Sequence, residues 1–284
     1  MYENIGIDNY VYRITKINLV LNVSLRVIMM NGVVKIKKGN CDLFEIQNLS
    51  DDLKKQIRKQ LVEICHGEYA LASNFPDHTF EKTIEELVNH RITYNKNRKL
   101  GMIGELLLNL LIREFSGMKI VSPFFNLEER SPKKGFDIIA IDSNNILWII
   151  ESKAGELGKM KTPTEKIRER INVAKNELST RLNQDNSQLW LNALNSVRSA
   201  MDDTSEKKTV VNILNNNRMS ISSKDKNVVL GGTVFCKFNS KIDIDKLDKL
   251  YNSIIKSNKF SNIKLVAIQK ETFQAIINYL NTLL

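Results

Sequence analysis

Two short apolar runs, residues 136–141 and 146–150, constrain the fold of this chain most, because only the polar segment 142–145 (Asp-Ser-Asn-Asn) separates them. Runs of this length, divided by residues that favour turns, are typical of neighbouring β-strands. We therefore predict two adjacent strands, joined as a hairpin, at the centre of the sequence.

The chain changes to helical spacing after residue 153 and then alternates. A capping-box pattern, Thr162 to Glu165 with Pro163 between them, predicts a helix that begins there and ends near residue 183. The tail predicts, in order, a strand at 228–238, a helix at 243–256, a strand at 263–269 and a helix at 272–284, and we expect residues 202–208 to form a loop. Strands that alternate with helices predict an α/β fold with a central mixed sheet flanked by helices.

The first part of the chain combines strand-like and helical patterns. Residues 10–44 are β-rich, and Asn31-Gly32 predicts a hairpin turn between residues 24–30 and 33–38. This region is either a small separate unit or an extension of the main sheet. Helices are predicted at 50–67, 80–91 and 100–115. We accordingly divide the chain into an N-terminal β-rich and helical region at 1–75, which could bind a partner, and a main domain at 76–284.

Charged residues lie at the ends of the predicted central strands. Asp137 begins the first strand, Glu151 ends the second, and Lys153 follows two positions later and so lies on the same face as Glu151. Two adjacent carboxylates raise each other's pKa unless a cation joins them. Hard oxygen ligands without a nearby His or Cys favour Mg²⁺ or Mn²⁺, and we expect Asp137, Glu151 and the backbone carbonyl of Ser152 to be the ligands.

Glu105 is the fourth candidate. It is the only charged residue between Lys99 and Arg113 in a helix that is predicted to be buried on most sides. A lone acid in such a helix is costly unless it meets a cation or a polar site. Its expected role is that of an outer ligand to the metal or its water, while Lys153 acts on the attacking water or on a phosphate.

The order of Glu105, Gly135-Phe136-Asp137, an apolar strand and Glu151-Ser152-Lys153 resembles the PD-(D/E)XK nuclease superfamily, with Phe136 in place of the proline. Within that superfamily the motifs resemble the nuclease subunit of the Hachiman antiphage system. The resemblance covers about residues 80 to 185. It implies a restriction-endonuclease-like core, Mg²⁺-dependent cleavage of DNA and restraint by a superfamily-2 helicase partner.

Two other interpretations remain open. One is a stand-alone restriction-type endonuclease, and the other is a catalytically inactive nuclease fold that serves in binding or assembly. RNA is an alternative substrate to DNA.

The net charge of +10 favours a polyanionic partner. Five basic residues after the second strand are candidates for DNA phosphate contacts: Lys159, Lys161, Lys166, Arg168 and Arg170. The three cysteines and three histidines have no metal-ligand spacing, and the cysteine pattern favours a reducing cytoplasm. No segment predicts a membrane span.

Overall fold

The computed structural model describes residues 24–92, 95–125, 135–184, 187–220 and 222–284, and an eight-stranded sheet forms its centre. The spatial order is β1-β2-β3-β8-β7-β6-β5-β4. Strands β3, β8, β7 and β6 are parallel, whereas the pairs at both edges are antiparallel. The strands are β1 (Leu25–Met30), β2 (Val33–Lys38), β3 (Cys41–Ile46), β4 (Lys119–Ile120), β5 (Ile138–Ile141), β6 (Leu147–Glu156), β7 (Asn227–Phe235) and β8 (Asn262–Lys270).

The N-terminal strands extend the main sheet. Gly32, with φ 78°, makes the predicted turn between β1 and β2, and β3 pairs in parallel with β8, for example Cys41 with Leu265. Of the two alternatives for this region, the extension of the sheet is therefore the one observed. The part of the predicted β-rich segment before Ser24 lies outside the described residues, and the division at residue 75 stays a prediction.

Nine α-helices are present in the described ranges. Ser50 caps the first through its hydroxyl, which accepts a hydrogen bond from the Leu53 amide, and Thr162 and Glu165 form the predicted capping box. A π-helix, Glu86–Arg91, follows the third helix. The helices are α1 (Asp51–His66), α2 (Tyr69–Ala72), α3 (Phe80–Glu85), α4 (Lys96–Phe115), α5 (Pro163–Leu182), α6 (Ser187–Ala200), α7 (Ser205–Arg218), α8 (Ile244–Lys256) and α9 (Gln274–Asn281).

Helices cover both faces of the sheet. On one face, leucines of α4 pack with Trp148 and Ile150 of β6; on the other, Ile167 and Ile171 of α5 pack with the alternate residues of the same strand. A Cβ at Gly104 would lie only 2.6 Å from Cβ of Ala154. Glycine at this position thus lets α4 approach β6 closely. The predicted α/β class, with a large mixed sheet flanked by helices, is confirmed.

Several predicted boundaries are wrong. Helix α4 begins at Lys96 rather than at residue 100, because the Asn95 side chain caps it. Strand β6 continues to Glu156, so Glu151 lies inside the strand rather than at its end, because the polar residues that follow pair with β7. Helix α7 begins inside the predicted loop 202–208, because Thr204 caps it and Val210 and Leu214 are buried one helical turn apart. Within the described residues, no helix combines the length and apolar content that a bilayer span requires.

Candidate active site at strands β5 and β6

Asp137 lies immediately before β5 and reaches across the hairpin to β6. The antiparallel register pairs Ile138 with Ile150, which places Asp137 beside Glu151. Its Oδ2 accepts a hydrogen bond of 2.8 Å from the backbone N–H of Ser152. The tight hairpin therefore brings the first predicted acid directly beside the second.

Glu151 is a buried carboxylate with a cation on each oxygen. The residue is only 1% exposed; Lys153 Nζ donates to Oε1 at 2.8 Å, and the Arg181 guanidinium donates to Oε2. Burial, and then the negative charge of Asp137, raise the pKa of Glu151 to about 7, although Arg181 and Lys153 act in the opposite direction. The partly buried Asp137 thus adds a like charge beside the fully buried Glu151.

Lys153 is held between two carboxylates. Its Nζ lies 2.8 Å from Glu151 Oε1 and 2.8 Å from Glu177 Oε2. Burial alone would lower the pKa of Lys153, but Glu151 and then Asp137 outweigh burial and raise it above its usual value. Lys153 is consequently an ammonium ion across the physiological pH range.

Helix α5 supplies two partners that the sequence did not reveal. Glu177 and Arg181 are one helical turn apart, a rise of about 6 Å, and they face Lys153 and Glu151, two residues and about 6.6 Å apart on a strand. The matched spacings allow both ion pairs to form. Arg181 also donates to the Gly135 carbonyl at 3.1 Å, which ties the segment before Asp137 to the same helix.

An open cleft of about 720 Å³ lies between α4, α5 and the hairpin, and all the predicted catalytic residues except Glu151 line it. Glu105 lines it from α4, and Asp137, Ser152 and Lys153 line it from the sheet. Glu151 does not line the cleft, because its side chain is buried against Arg181 of α5. The sequence did not indicate two further lining residues, Lys96 and Asn97 in the first turn of α4.

The five basic residues proposed for DNA contacts are not gathered together. Lys166 and Arg170 line the cleft, whereas Lys159 and Arg168 are exposed outside its lining. Lys161, Lys166 and Arg170 each contact Glu169, whose pKa falls to about 2, mainly through the hydrogen bond from Lys161. Glu169 therefore neutralises part of the basic surface beside the cleft.

The donor chemistry fits a hard divalent cation. Every acidic candidate offers carboxylate oxygens, and a cation would offset the burial and the negative charge of Asp137, which together raise the pKa of Glu151. Both oxygens of Glu151 already contact cations, so direct ligation by Glu151 requires Lys153 or Arg181 to release one of them. Among the described residues, no three acidic, His or Cys side chains form a ready metal cage. Asp137, on the open side, is the best-placed ligand.

Comparison with known families covers nearly the whole chain. The family model for HamA matches residues 30–284. None of the curated proteins matches the chain. Because the match spans the sheet, the hairpin and all four candidate residues, the chain belongs to the HamA family and is a component of the Hachiman antiphage defence system.

Proposed function

We propose that this HamA protein is a Mg²⁺- or Mn²⁺-dependent deoxyribonuclease of the PD-(D/E)XK type and the effector of its defence system. The observation that carries the proposal is the arrangement of Asp137, Lys153 and Glu105 around one cleft, with the buried carboxylate of Glu151 next to Asp137. Two acids, a lysine and a third acid from a helix are the set expected of metal-assisted phosphodiester hydrolysis.

Each side chain has a defined task in this proposal. Asp137 and Glu151 would hold the metal, with the Ser152 carbonyl as a further ligand and Glu105 as an outer one. Glu151 would do so once Lys153 or Arg181 releases one of its oxygens. The metal, when bound, lowers the pKa of the attacking water and neutralises charge on the phosphate. Lys153 is protonated, so it donates hydrogen bonds to a phosphate oxygen or orients the water rather than removing its proton. Lys166 and Arg170 bind the DNA backbone beside the cleft.

The test is cleavage of supercoiled plasmid in Mg²⁺ or Mn²⁺, compared with EDTA. Asp137→Asn, Glu151→Gln and Lys153→Met should each reduce the rate at least about a hundredfold. Glu45→Gln is the matched control, because Glu45 is also a strand residue with 1% exposure but does not line the cleft. Activity in EDTA, or full activity in Asp137→Asn, would overturn the proposal.

We further propose that the nuclease is held inactive in a complex with a helicase subunit, since a free DNase would damage its own cell. The chain alone should then cut DNA faster than the reconstituted complex at equal concentration. Equal rates would remove this part of the proposal. Sequencing the cut ends checks the stand-alone restriction-type alternative, which requires one preferred site without a partner.

A catalytically inactive assembly subunit is the second candidate. The engagement of both Glu151 oxygens by cations favours it, because those contacts would satisfy the buried acid without a metal. Under this alternative, Asp137→Asn and Glu151→Gln leave phage resistance unchanged. Loss of resistance in both variants, with normal protein levels, excludes it. Parallel incubation with single-stranded RNA identifies the substrate class.

A further inference from the structure

A second cavity, of about 960 Å³, lies away from the hairpin and shares no lining residue with the cleft. The C-terminal end of α1, the segment through α2 and Asp77, and the π-helix form one side of it. The ends of α6 and α7 that meet at residues 198–207 form the other side. Its volume lies in the range of small-molecule binding pockets. The candidate nuclease site uses none of these residues.

Five aromatic rings line this cavity, which we call the aromatic basin: His66, Tyr69, Phe75, His78 and Phe125. His78 is their hub. Its ring centroid lies 4.7 Å from that of His66, 5.2 Å from that of Phe75 and 6.3 Å from that of Tyr69. Tyr69 and Phe75 are 48% and 57% exposed, so much of their surface is open to solvent rather than packed in the core. Exposed rings beside a pocket are platforms for a planar ligand.

The inner rings present an uncharged surface. His66 Nε2 lies 3.0 Å from Thr83 Oγ1, and the His66 ring meets Phe125 edge to face at 5.1 Å. Burial, and then His78 and Arg91, lower the pKa of His66 to about 4. His66 is thus neutral at physiological pH. A neutral aromatic floor favours a flat, weakly polar group such as a nucleobase.

Cations stand at the rim of the same cavity. Arg91 stacks on Phe125 at 4.9 Å and is paired with Glu86, whereas Arg198 and Lys207 face the cavity from α6 and α7. Within the described ranges, neither Arg198 nor Lys207 forms an ion pair. Asp77 and Asp203 also line the rim, which limits the site to a ligand of low charge. A ligand with one phosphate near Arg198 and Lys207 would pair with these cations and would still carry little charge near the two aspartates.

The backbone carries an independent sign of a binding site. Glu86 and Arg91 come from the π-helix Glu86–Arg91, which directly continues α3. Turns of π-helix are rare and are often found at functional sites, because they cost stability and redirect side chains. Here the π-helix directs Arg91 onto Phe125, at the wall of the basin.

We propose that the aromatic basin binds a single nucleotide unit, with the base stacked on Tyr69 and Phe75 and a phosphate held by Arg198 and Lys207. The unit is either a free nucleoside monophosphate or one nucleotide of a single-stranded nucleic acid. The site is separate from the candidate nuclease cleft, and its existence does not depend on cleavage activity.

The test is equilibrium binding by the full chain in EDTA. Calorimetry follows adenosine 5′-monophosphate and adenosine, and fluorescence anisotropy follows a labelled single-stranded oligodeoxyadenylate. Tyr69→Ala combined with Phe75→Ala should weaken binding at least about tenfold, because stacking on aromatic rings supplies that much per base. Arg198→Gln combined with Lys207→Gln should abolish the preference for the monophosphate over adenosine.

Matched controls come from the same elements. Leu71 lies on α2 beside Tyr69 and is 60% exposed but does not line the basin, and Lys208 is exposed next to Lys207. Leu71→Ala and Lys208→Gln should bind as the unchanged chain does. Binding of the monophosphate supports a free nucleotide as the ligand, and ring-dependent binding of the oligonucleotide alone supports a strand. No binding of either probe, or binding that the ring and cation variants leave unchanged, overturns the proposal.

Discussion

Glu45 and Glu151 are two buried glutamates on strands of the central sheet, and only Glu151 lies at a candidate active site. Each is 1% exposed, each lies on a strand of the same sheet, and each contacts two cations. Arg26 and Lys241 approach Oε2 of Glu45 at 2.7 and 3.2 Å, whereas Arg181 and Lys153 contact separate oxygens of Glu151.

The difference lies in the surroundings of the two acids. The side chains of Arg26 and Lys241 are 47% and 49% exposed, and those of Arg181 and Lys153 are 28% and 25% exposed. At Glu151, Asp137 adds a second negative charge. A buried acid therefore does not by itself mark a site. A second acid, less exposed cations and an adjoining cleft distinguish Glu151 from Glu45.

Removing Arg181 from Glu151 should have the largest effect on stability. We expect Arg181→Met to lower the free energy of unfolding by about 3 kcal/mol, because it leaves a buried carboxylate with one cation and a like-charged neighbour. Arg26→Met should cost less than about 1 kcal/mol, since half-exposed ion pairs contribute little. Urea unfolding in EDTA measures both, with the exposed Arg218→Met as control. Equal losses at the two sites would show that the lower exposure of Arg181 does not affect the free energy of unfolding.

Bound metal should stabilise the folded chain through Asp137 and Glu151 but not through Glu45. If Asp137 and Glu151 bind Mn²⁺ as proposed, a hundredfold excess over the dissociation constant stabilises the folded chain by about 2.7 kcal/mol. Asp137→Asn should abolish this gain, and Glu45→Gln should retain it. Thermal unfolding at increasing Mn²⁺ concentration is the measurement. An identical midpoint in Mn²⁺ and EDTA for the unchanged chain would count against the metal site.

The pH dependence of stability should report the strain at Glu151. Its pKa is about 7 in the folded chain against an ordinary 4.5, so the folded state keeps a proton that the unfolded chain loses. The contribution of the Glu151 proton to stability is therefore greatest below pH 4.5 and falls as the pH rises towards 7. Between about pH 5 and pH 8, Glu151→Gln should gain on the order of 2 kcal/mol relative to the unchanged chain. Asp137→Asn should make the same profile less steep. A profile that neither variant changes would show that the pKa of Glu151 is not raised.

Local sequence patterns predicted the elements that carry the site. The turn 142–145 specified the hairpin, Thr162 with Glu165 specified the start of α5, and the isolated Glu105 pointed to the cleft. Each of these patterns spans only a few residues, so it can be recognised in a single sequence. The confirmed α/β class rests on the same local information.

Tertiary contacts account for what the sequence could not predict. Arg181 follows Glu151 by thirty positions and meets it only because α5 crosses the sheet face that carries both Glu151 and Lys153. The continuation of β6 to Glu156 depends on pairing with β7, whose residues lie much later in the chain. The aromatic basin likewise joins α1, the π-helix and α7, and no local spacing indicates it.

The basic residues of the cleft and those beside Glu45 should also differ in their contribution to DNA binding, and this is the smallest of the expected effects. Lys166 and Arg170 line the cleft together with Asp137 and Lys153, and changing both to Gln should weaken DNA binding about threefold to tenfold and reduce the salt dependence by about one unit per residue. The same changes at Arg26 and Lys241, beside Glu45, should have no effect. Anisotropy with labelled duplex in EDTA at several salt concentrations measures this. If the Arg26 and Lys241 changes weaken binding equally, the basic surface acts as a whole and the cleft does not select the path of the DNA.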